Sequence, residues 1–404
     1  MVTHRRIALL IESSSAYGRR VLRGITQYAR LHGRWSLYYE QRRTAEAPPK
    51  WLRNWRGDGI IARVDDAAQA RAIRRTGLPA VDLRGNVSSS MPVVKNDSTA
   101  VAELCANHLL ERGFYHLAYC GFAGLAYSEH RLEYFQSYLA KRGVSCHVYL
   151  SASPAARAGQ RAIESVGMHS DPKLIQWIDR LPKPVGIMAC NDVRGQQVLN
   201  TCRELDVAVP EQIALVGVDN DDVLCDLSYP PMSSVELDTQ RVGYEAAALL
   251  DSLMAGEPAP RRPLLIPPVR VIVRRSTDIL VIDDPYVAEA VRHIRLHAID
   301  GVKIEGVLDH LSAKGKLLSR RTLERRFANL LGRTLNEEIL RVRLDRVKSL
   351  LMETDWPLWK IAQRSGFEFA EYMSVAFKRA LLITPGEFRR QHQLGISHLR
   401  SNSR

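Results

Sequence analysis

From residue 6 onward, short apolar runs alternate with longer amphipathic stretches over most of the chain. The runs at 7–11, 59–62, 80–83, 117–120, 185–189 and 214–218 have strand length, while 17–31, 98–112, 129–142, 171–180, 192–205 and 239–255 carry helical periodicity. This alternation predicts parallel sheets joined by crossover helices, with ligands held at the carboxyl ends of the strands. The segments that follow the strands are polar: Glu12-Ser-Ser-Ser-Ala-Tyr17, Arg63-Val-Asp-Asp66, Asn191-Asp192 and Asp219-Asn-Asp-Asp222. From 286 the pattern becomes helical throughout. Leu358, Ile361, Ala362 and Ser365 repeat at helical spacing, Gly366 supplies the positive φ of a sharp turn, and Tyr372, Met373 and Phe377 lay an apolar stripe along a second helix. Such a pair leaves one face of its second helix free to enter a DNA groove.

At 404 residues the chain is too long for one ordinary domain, and its 46% hydrophobic content suffices for globular cores. The formal net charge of +13 is unevenly placed: residues 285–404 hold 22 Lys+Arg against 13 Asp+Glu, so +9 lies there. That suits phosphate contacts, although a merely basic surface gives the same count. Six cysteines (Cys105, Cys120, Cys146, Cys190, Cys202, Cys225) form no Cys-x-x-Cys pair and read as small core residues in a reducing compartment. The apolar run at 7–11 is too short for a signal-peptide core or a membrane span, so a cytoplasmic protein with no membrane partner is expected.

The stretch 356–390 is similar to part of the DNA-binding domain of the AraC/XylS family, bacterial transcription regulators with two helix-turn-helix units joined by a long helix. The likeness runs back through Ser319-Arg-Arg-Thr-Leu-Glu-Arg-Arg-Phe327 and Arg343-Leu-Asp-Arg-Val-Lys-Ser-Leu-Leu351, and forward to Thr384-Pro385. The preceding part resembles the effector-binding domain of the LacI family and of periplasmic sugar-binding proteins. Tyr17-Gly-Arg-Arg-Val-Leu-Arg-Gly-Ile25, Asn96-Asp97, His116-Leu-Ala-Tyr-Cys-Gly121, Ala189-Cys-Asn-Asp192 and Leu215-Val-Gly-Val-Asp-Asn220 carry that likeness. Together they imply an α/β two-lobed periplasmic-binding-protein-like sensor domain over 1–275 and a linker at 276–285. An all-α double helix-turn-helix DNA-binding domain over 286–391 and a disordered tail at 392–404 complete the expected order. In the sensor fold the chain would cross between lobes near 113–116, 231–236 and 256–270.

A sugar offers many hydroxyls and a weakly apolar ring face, so its pocket needs paired carboxylates and amides, an Arg fork and an aromatic platform. Arg131, Asn191, Asp192, Asp219 and Asn220 supply the polar groups, with Ser13 nearby in sequence to Tyr17; Tyr17, Phe122 or Tyr127 supplies the platform. The resemblance places Arg131, Asp192 and Asp219 where sugar-contacting side chains commonly sit. Structural readings compete with these: Asp192 could cap the helix after Asn191, Asp97 reads as a cap, Ser13–Ser15 could satisfy a turn, and Asp65, Asp66, Asp221 and Asp222 could be solvated. Paired carboxylates also suit acid–base catalysis, but no metal-ligand spacing, Gly-rich phosphate loop or activated nucleophile accompanies them, so no enzyme, metal or cofactor is expected. His108, His116, His130 and His147 read as helix-end or surface residues.

In the basic part, Leu323, Phe327 and Leu330 at core spacing turn Arg320, Arg321, Glu324 and Arg325 outward, where Arg forks pair with guanine and Glu accepts from cytosine. The resemblance makes Arg321, Glu324 and Arg325 base-facing and Ser319 the helix cap. In the second unit Phe369, Ala370, Glu371, Ser374 and Val375 point outward; only Glu371 and Ser374 can hydrogen-bond, so this helix either reads thymine methyls by apolar contact or contributes mainly backbone positioning, while Lys378, Arg379, Arg389 and Arg390 suit phosphates. Two departures from the family pattern stand out. The turn at 312–318 is lengthened, which either loosens the first unit or offers Lys314 and Lys316 to phosphates, and Leu382 stands where Gly is usual. The implied function is a regulator, an activator of pentose catabolic genes, that binds a small carbohydrate such as xylose. Its implied partners are operator DNA with repeated half-sites, a second copy in a homodimer, and RNA polymerase. The alternatives are the same regulator sensing another small molecule or no ligand, and a sugar-modifying enzyme.

Overall fold

The first apolar run forms β1 (Arg5–Leu10), whose Ile7, Ala8 and Leu9 are all buried because helices cover both faces of its sheet. The computed structural model describes residues 4–32, 35–41, 47–87, 89–151, 171–279 and 284–393. It divides into two units, Met1–Ile279 and Leu280–Arg404.

In the first unit, β1 joins β2 (Trp35–Tyr39), β3 (Gly59–Ala62) and β4 (Ala80–Asp82) in a parallel sheet of order β2-β1-β3-β4. Alternate strand residues feed two cores. Ile7, Ile61 and Val81 pack with Val21 and Ile25 of α1 (Ala16–His32), whereas Ala8, Ile60 and Ala62 pack with Ile73 of α2 (Ala67–Arg74). After β5 (Val94–Asn96) the chain enters a second lobe at α3 (Ser98–Leu110). That lobe is built on β6 (His116–Phe122), β7 (Cys146–Ser151), β8 (Val185–Ala189), β9 (Ile213–Val218) and β10 (Ser233–Leu237). Its helices are α4 (Ala126–Ala140), α5 (Pro172–Arg180), α6 (Asp192–Glu204) and α7 (Asp222–Leu227). The chain returns to the first lobe as α8 (Thr239–Met254) and β11 (Leu264–Ile266), which pairs with β5. It then crosses a last time into β12 (Pro268–Ile272), an antiparallel edge on the sheet of order β12-β10-β9-β8-β6-β7.

The lobe crossings therefore lie at 96–98, 237–239 and 266–268. The first expected crossing, near 113–116, is corrected: that segment is the turn between α3 and β6 within the second lobe, and the real crossing is the Asn96-Asp97 step. There the Asp97 side chain caps α3 and its backbone N–H donates to the Ile266 carbonyl on the third crossing segment (2.8 Å). Five of the six cysteines are buried and Cys146 is partly so; all six are free thiols.

In the second unit, α9 (Pro285–His297), α10 (Ile304–Ala313) and α11 (Arg320–Leu331) close one core with the start of α12 (Leu335–Glu353), through Leu335 and Ile339. The far end of α12, through Leu344, Val347 and Leu351, closes another with α13 (Leu358–Gln363), α14 (Ala370–Leu381) and α15 (Pro385–Gln393). Gly366 turns at φ 76° between α13 and α14. The expected tail lies, from 394 on, outside the described residues, as do 280–283 of the expected linker. No described helix is long and apolar enough to cross a membrane.

Both outer helices end in a left-handed residue: Gly332 closes α11 at φ 65°, and Leu382 closes α14 at φ 62° with 85% of its surface exposed. A left-handed L-residue is penalised where Gly is not. Leu382→Gly is expected to stabilise the second unit by about 1 kcal/mol, read as a higher urea midpoint at unchanged slope; a lower midpoint would show that the exposed leucine contributes packing.

Candidate functional site

The carboxyl ends of the strands in the two lobes face each other across a cavity of about 450 Å³. From the first lobe, Glu12 follows β1 and accepts from the Ser15 hydroxyl (2.8 Å) while pairing with Arg63, which follows β3. The Arg63 guanidinium lies 4.6 Å from the centroid of the Tyr17 ring. Enclosure in the cavity wall, then the negative charge of Asp219, push the Tyr17 phenol up to about 12, so it stays a protonated donor. Arg84 and Lys95 also line this side, Arg84 being paired with Asp65 at 2.9 Å. Asn96 ends β5 with 8% of its surface exposed, and neither polar atom of its amide has a partner among the described residues.

From the second lobe, Asn191 lies extended between β8 and α6. Its Oδ1 accepts from the Arg194 N–H (2.9 Å), which makes it the helix cap, and its Nδ2 donates to the Tyr127 hydroxyl (3.1 Å). Asp192 is therefore not the cap. It is buried, with Oδ1 accepting from the Ser234 hydroxyl (2.5 Å) and Oδ2 from the Asp221 N–H (2.7 Å). Gly217 leaves room for it, since a Cβ there would lie 2.3 Å from Asp192 Oδ1. Arg131, on α4, is buried with Nη1 donating to the Cys190 carbonyl and Nη2 3.9 Å from Asp219 Oδ1. Its guanidinium stands 5.3 Å from the centroid of the Tyr127 ring, and its buried Nε has no partner among the described residues.

Burial, and then the neighbouring Asp219 charge, hold the Asp192 carboxyl well above the usual carboxylate range. A carboxyl raised on folding retains a proton that the unfolded chain has lost, so stability falls as pH rises from the ordinary carboxylate range to the folded value. Asp192→Asn mimics the protonated form. The variant is expected to lose less melting temperature than the parent between pH 6 and pH 9; parallel losses would place the titration elsewhere.

In the second unit, Ser319 caps α11 by accepting from the Thr322 N–H (3.2 Å). Leu323 and Phe327 are buried and turn Arg321 and Arg325 to solvent, one helical turn apart. Leu330 is exposed, and the neighbouring Leu331 packs in its place. Arg320 is engaged within the protein, with Nε 2.9 Å from Glu324 and Nη1 2.9 Å from Glu305. On α14, Glu371, Val375 and Lys378 are exposed, as are Phe369 and Tyr372, whereas Met373 and Phe377 are buried. Ala370 opens the helix, and the Ser374 hydroxyl donates back to the Ala370 carbonyl (2.8 Å). α11 thus presents two exposed cations, whereas α14 presents Tyr372 and Val375 beside Glu371 and Lys378.

Three family models cover this chain: a XylR N-terminal domain over 6–97, a periplasmic binding protein-like domain over 106–277 and a helix-turn-helix domain over 313–391. The xylose operon regulatory protein of Escherichia coli strain K12 is 33% identical over 399 residues, spanning 96% of this chain and 98% of that one. Its counterpart in Haemophilus influenzae is 32% identical over 396 residues, spanning 95% and 98%. The chain belongs to the xylose operon regulatory protein family. A solved structure described as that of the xylose-binding transcription activator xylR covers 97% of this chain and all of its own, at 31% identity and a TM-score of 0.59. This family member is a DNA-binding transcription regulator with a periplasmic-binding-like sensor and a helical DNA-binding domain, as expected from the order of its motifs.

The structure brings Tyr17, Tyr127, Arg131, Asn191, Asp192 and Asp219 of the regulator to one cavity. It does not bring Ser13 there: the Ser13 carbonyl accepts from Arg19 (3.0 Å), and Ser14 and Ser15 line the wall instead. Phe122 is fully buried beneath Arg194 and is no platform. Asn220 is buried behind the wall, and Asp65 is ion-paired rather than solvated. Asp66 and Asp221 cap α2 and α7. Of the histidines, His130 lines the cavity and His108 is buried against Thr277 (2.9 Å). The polar segments after the strands bring Glu12 and Arg63 to the lining, and the Asn96-Asp97 motif brings Asn96; Arg84, two residues beyond β4, and Lys95, within β5, line it without a sequence signal of their own. In the DNA-binding unit, Lys314 pairs with Glu289 (2.8 Å) and Lys316 donates to the Pro285 carbonyl (2.6 Å), so the lengthened turn is tied to α9 and neither lysine is free. Arg389 likewise donates to the Trp356 carbonyl, leaving Arg390 as the exposed member of that pair.

Proposed function

We propose that this regulator is a cytoplasmic activator that binds D-xylose in the inter-lobe cavity and, as a homodimer, places AraC-type DNA-binding domains on repeated operator half-sites beside RNA polymerase. The observation that carries the sensing half is chemical. Asn96 and Arg131 bury amide and guanidinium atoms that have no partner among the described residues, beside carboxylates and two tyrosine rings. Buried polar atoms without partners are rare and costly, and a ligand bearing many hydroxyls supplies what they lack. The names of the relatives point to xylose, and donors and acceptors such as Tyr17, Asn96, Arg131 and Asp219 on the walls support a neutral polyhydroxyl ligand.

Closure of the lobes on a sugar would favour one arrangement of the dimer over another, by no more than the sugar's differential affinity for the two. The test is operator affinity with and without D-xylose, on a duplex selected from a random-sequence pool by the full-length protein. A shift of at least about fivefold, the lower end of ordinary allosteric coupling, is expected; equal affinities would leave a DNA-binding protein whose sensor answers to something else.

A further inference from the structure

The turn after β9 places two consecutive residues other than glycine at positive φ, Asp219 at 109° and Asn220 at 46°. L-residues hold such angles only where their surroundings fix them. Here the fixing groups come from three directions. Arg20, on α1 in the opposite lobe, donates through Nη1 to the Asp219 carbonyl (3.1 Å) and through Nη2 to the Asn220 carbonyl (2.8 Å). Ser234, which also donates to Asp192, accepts from the Asn220 N–H (3.0 Å). Arg274 donates through Nη1 to Asn220 Oδ1 (3.0 Å) and to the Met232 carbonyl (3.1 Å), while its Nε meets Asp226 (3.0 Å).

Arg274 begins the last segment of the sensor. Immediately after it, the Ser276 hydroxyl donates to the Leu215 carbonyl (2.7 Å) and Thr277 to the Ser233 hydroxyl (2.7 Å), so this exit segment is bonded to β9 and β10. Neither Arg20 nor Arg274 lines the cavity; the Asp219 carboxylate does.

We infer that Arg20 and Arg274 are positioning residues at the two ends of a relay, in which the Asp219-Asn220 turn couples sugar in the cavity to the segment that leaves the sensor. The inference rests on the first unit being a sugar sensor. A ligand held by both lobes favours the approach in which Arg20 reaches the two carbonyls. That grip keeps the turn left-handed and the Asn220 amide aimed at Arg274. When the lobes part, Arg20 withdraws, the turn relaxes toward ordinary φ, and the exit segment loses one of its anchors. Two packed arrangements of one short turn suffice for a switch.

The experiment compares D-xylose affinity by calorimetry, and operator affinity with and without D-xylose, in full-length wild type, Arg20→Ala, Arg274→Ala, Arg274→Lys and Asn220→Gly. Arg20→Ala should weaken D-xylose binding about tenfold, the value of one charge-assisted hydrogen bond, and leave sugar-free operator affinity unchanged. Arg274→Ala should bind D-xylose within about twofold of wild type, yet its ratio of operator affinities should fall toward 1, as coupling and binding are separable quantities. Arg274→Lys, which keeps the charge but not the fork, should fall between. Asn220→Gly keeps the backbone turn and deletes the acceptor; it should uncouple as Arg274→Ala does, and it serves should Arg274→Ala fail to fold. A wild-type ratio in folded Arg274→Ala or Asn220→Gly overturns the relay alone. A wild type indifferent to D-xylose overturns the sensor reading and the relay with it.

Discussion

Asn96→Leu should cost D-xylose affinity about two orders of magnitude while leaving the sugar-free protein as stable as before, or more so. Leucine has the branched outline and the four side-chain heavy atoms of asparagine but bulkier ends, so no cavity opens. The two buried amide atoms without described partners are removed together with their desolvation cost, typically about 1–3 kcal/mol for an unmatched group. What is lost is the pair of hydrogen bonds that a sugar hydroxyl would make, about 1.5 kcal/mol each, hence roughly a hundredfold in affinity. A structural asparagine gives the opposite result, because removing its bonds would lower the melting temperature and spare binding. Calorimetric titration and thermal unfolding of the same variant separate the two, and a destabilised protein with wild-type affinity would take Asn96 out of the site.

On the DNA side, the largest effect is expected at Arg321 and Arg325, which stand exposed one turn apart on α11 while Arg320 and Glu324 are paired to each other. Either Arg→Ala change should cost about 1–3 kcal/mol on the selected duplex and relax preference at one base pair, as expected when a guanidinium fork leaves a guanine edge. Arg390→Ala should weaken selected and random duplexes alike and flatten the salt slope, because it removes only a phosphate contact. Equal losses on every duplex for Arg321→Ala and Arg325→Ala would reduce α11 to a positioning element.

The apolar runs that became β1, β3, β6, β8 and β9 were legible because helices cover both faces of their sheets, leaving almost no polar residue in the strand. β2 and β12 were not. Trp35–Tyr39 is an edge strand with its tyrosines exposed, and Pro268–Ile272 opens on proline at an antiparallel edge, so neither carries the pattern of a buried strand. β5 and β11 are three residues each, too short for any periodicity, so the crossing beside them at 96–98 has no hydrophobic pattern to mark it in the sequence.

In the cavity wall, Asp192, Asp219, Arg131 and Asn96 lie in motifs that the sequence shows, but only the first three read as ligand contacts there; Arg63 and Lys95 come from segments with no fixed spacing to them. The usable signal was position alone: Arg63 directly follows β3 and Asn96 ends β5, where ligands of parallel sheets lie. The cap reading of Asp192 falls because Asn191 takes the cap, which no spacing in the sequence distinguishes. In the DNA-binding unit the apolar stripe holds at Leu323, Phe327, Met373 and Phe377 but not at Leu330 and Tyr372, which are exposed, and it does not tell which cations are already engaged. The partners of Lys314 and Lys316, Glu289 and Pro285, lie on a helix some 25 to 31 residues away in sequence.

A pentose site between the lobes stands or falls on calorimetric titration of the full-length protein with D-xylose, with L-arabinose and D-ribose run beside it. D-xylose should bind saturably, one sugar per chain, with the two stereoisomers weaker and the Asn96→Leu protein giving no heat over the same range. A flat D-xylose titration of the folded wild-type protein, or saturable binding that Asn96→Leu leaves intact, would contradict it.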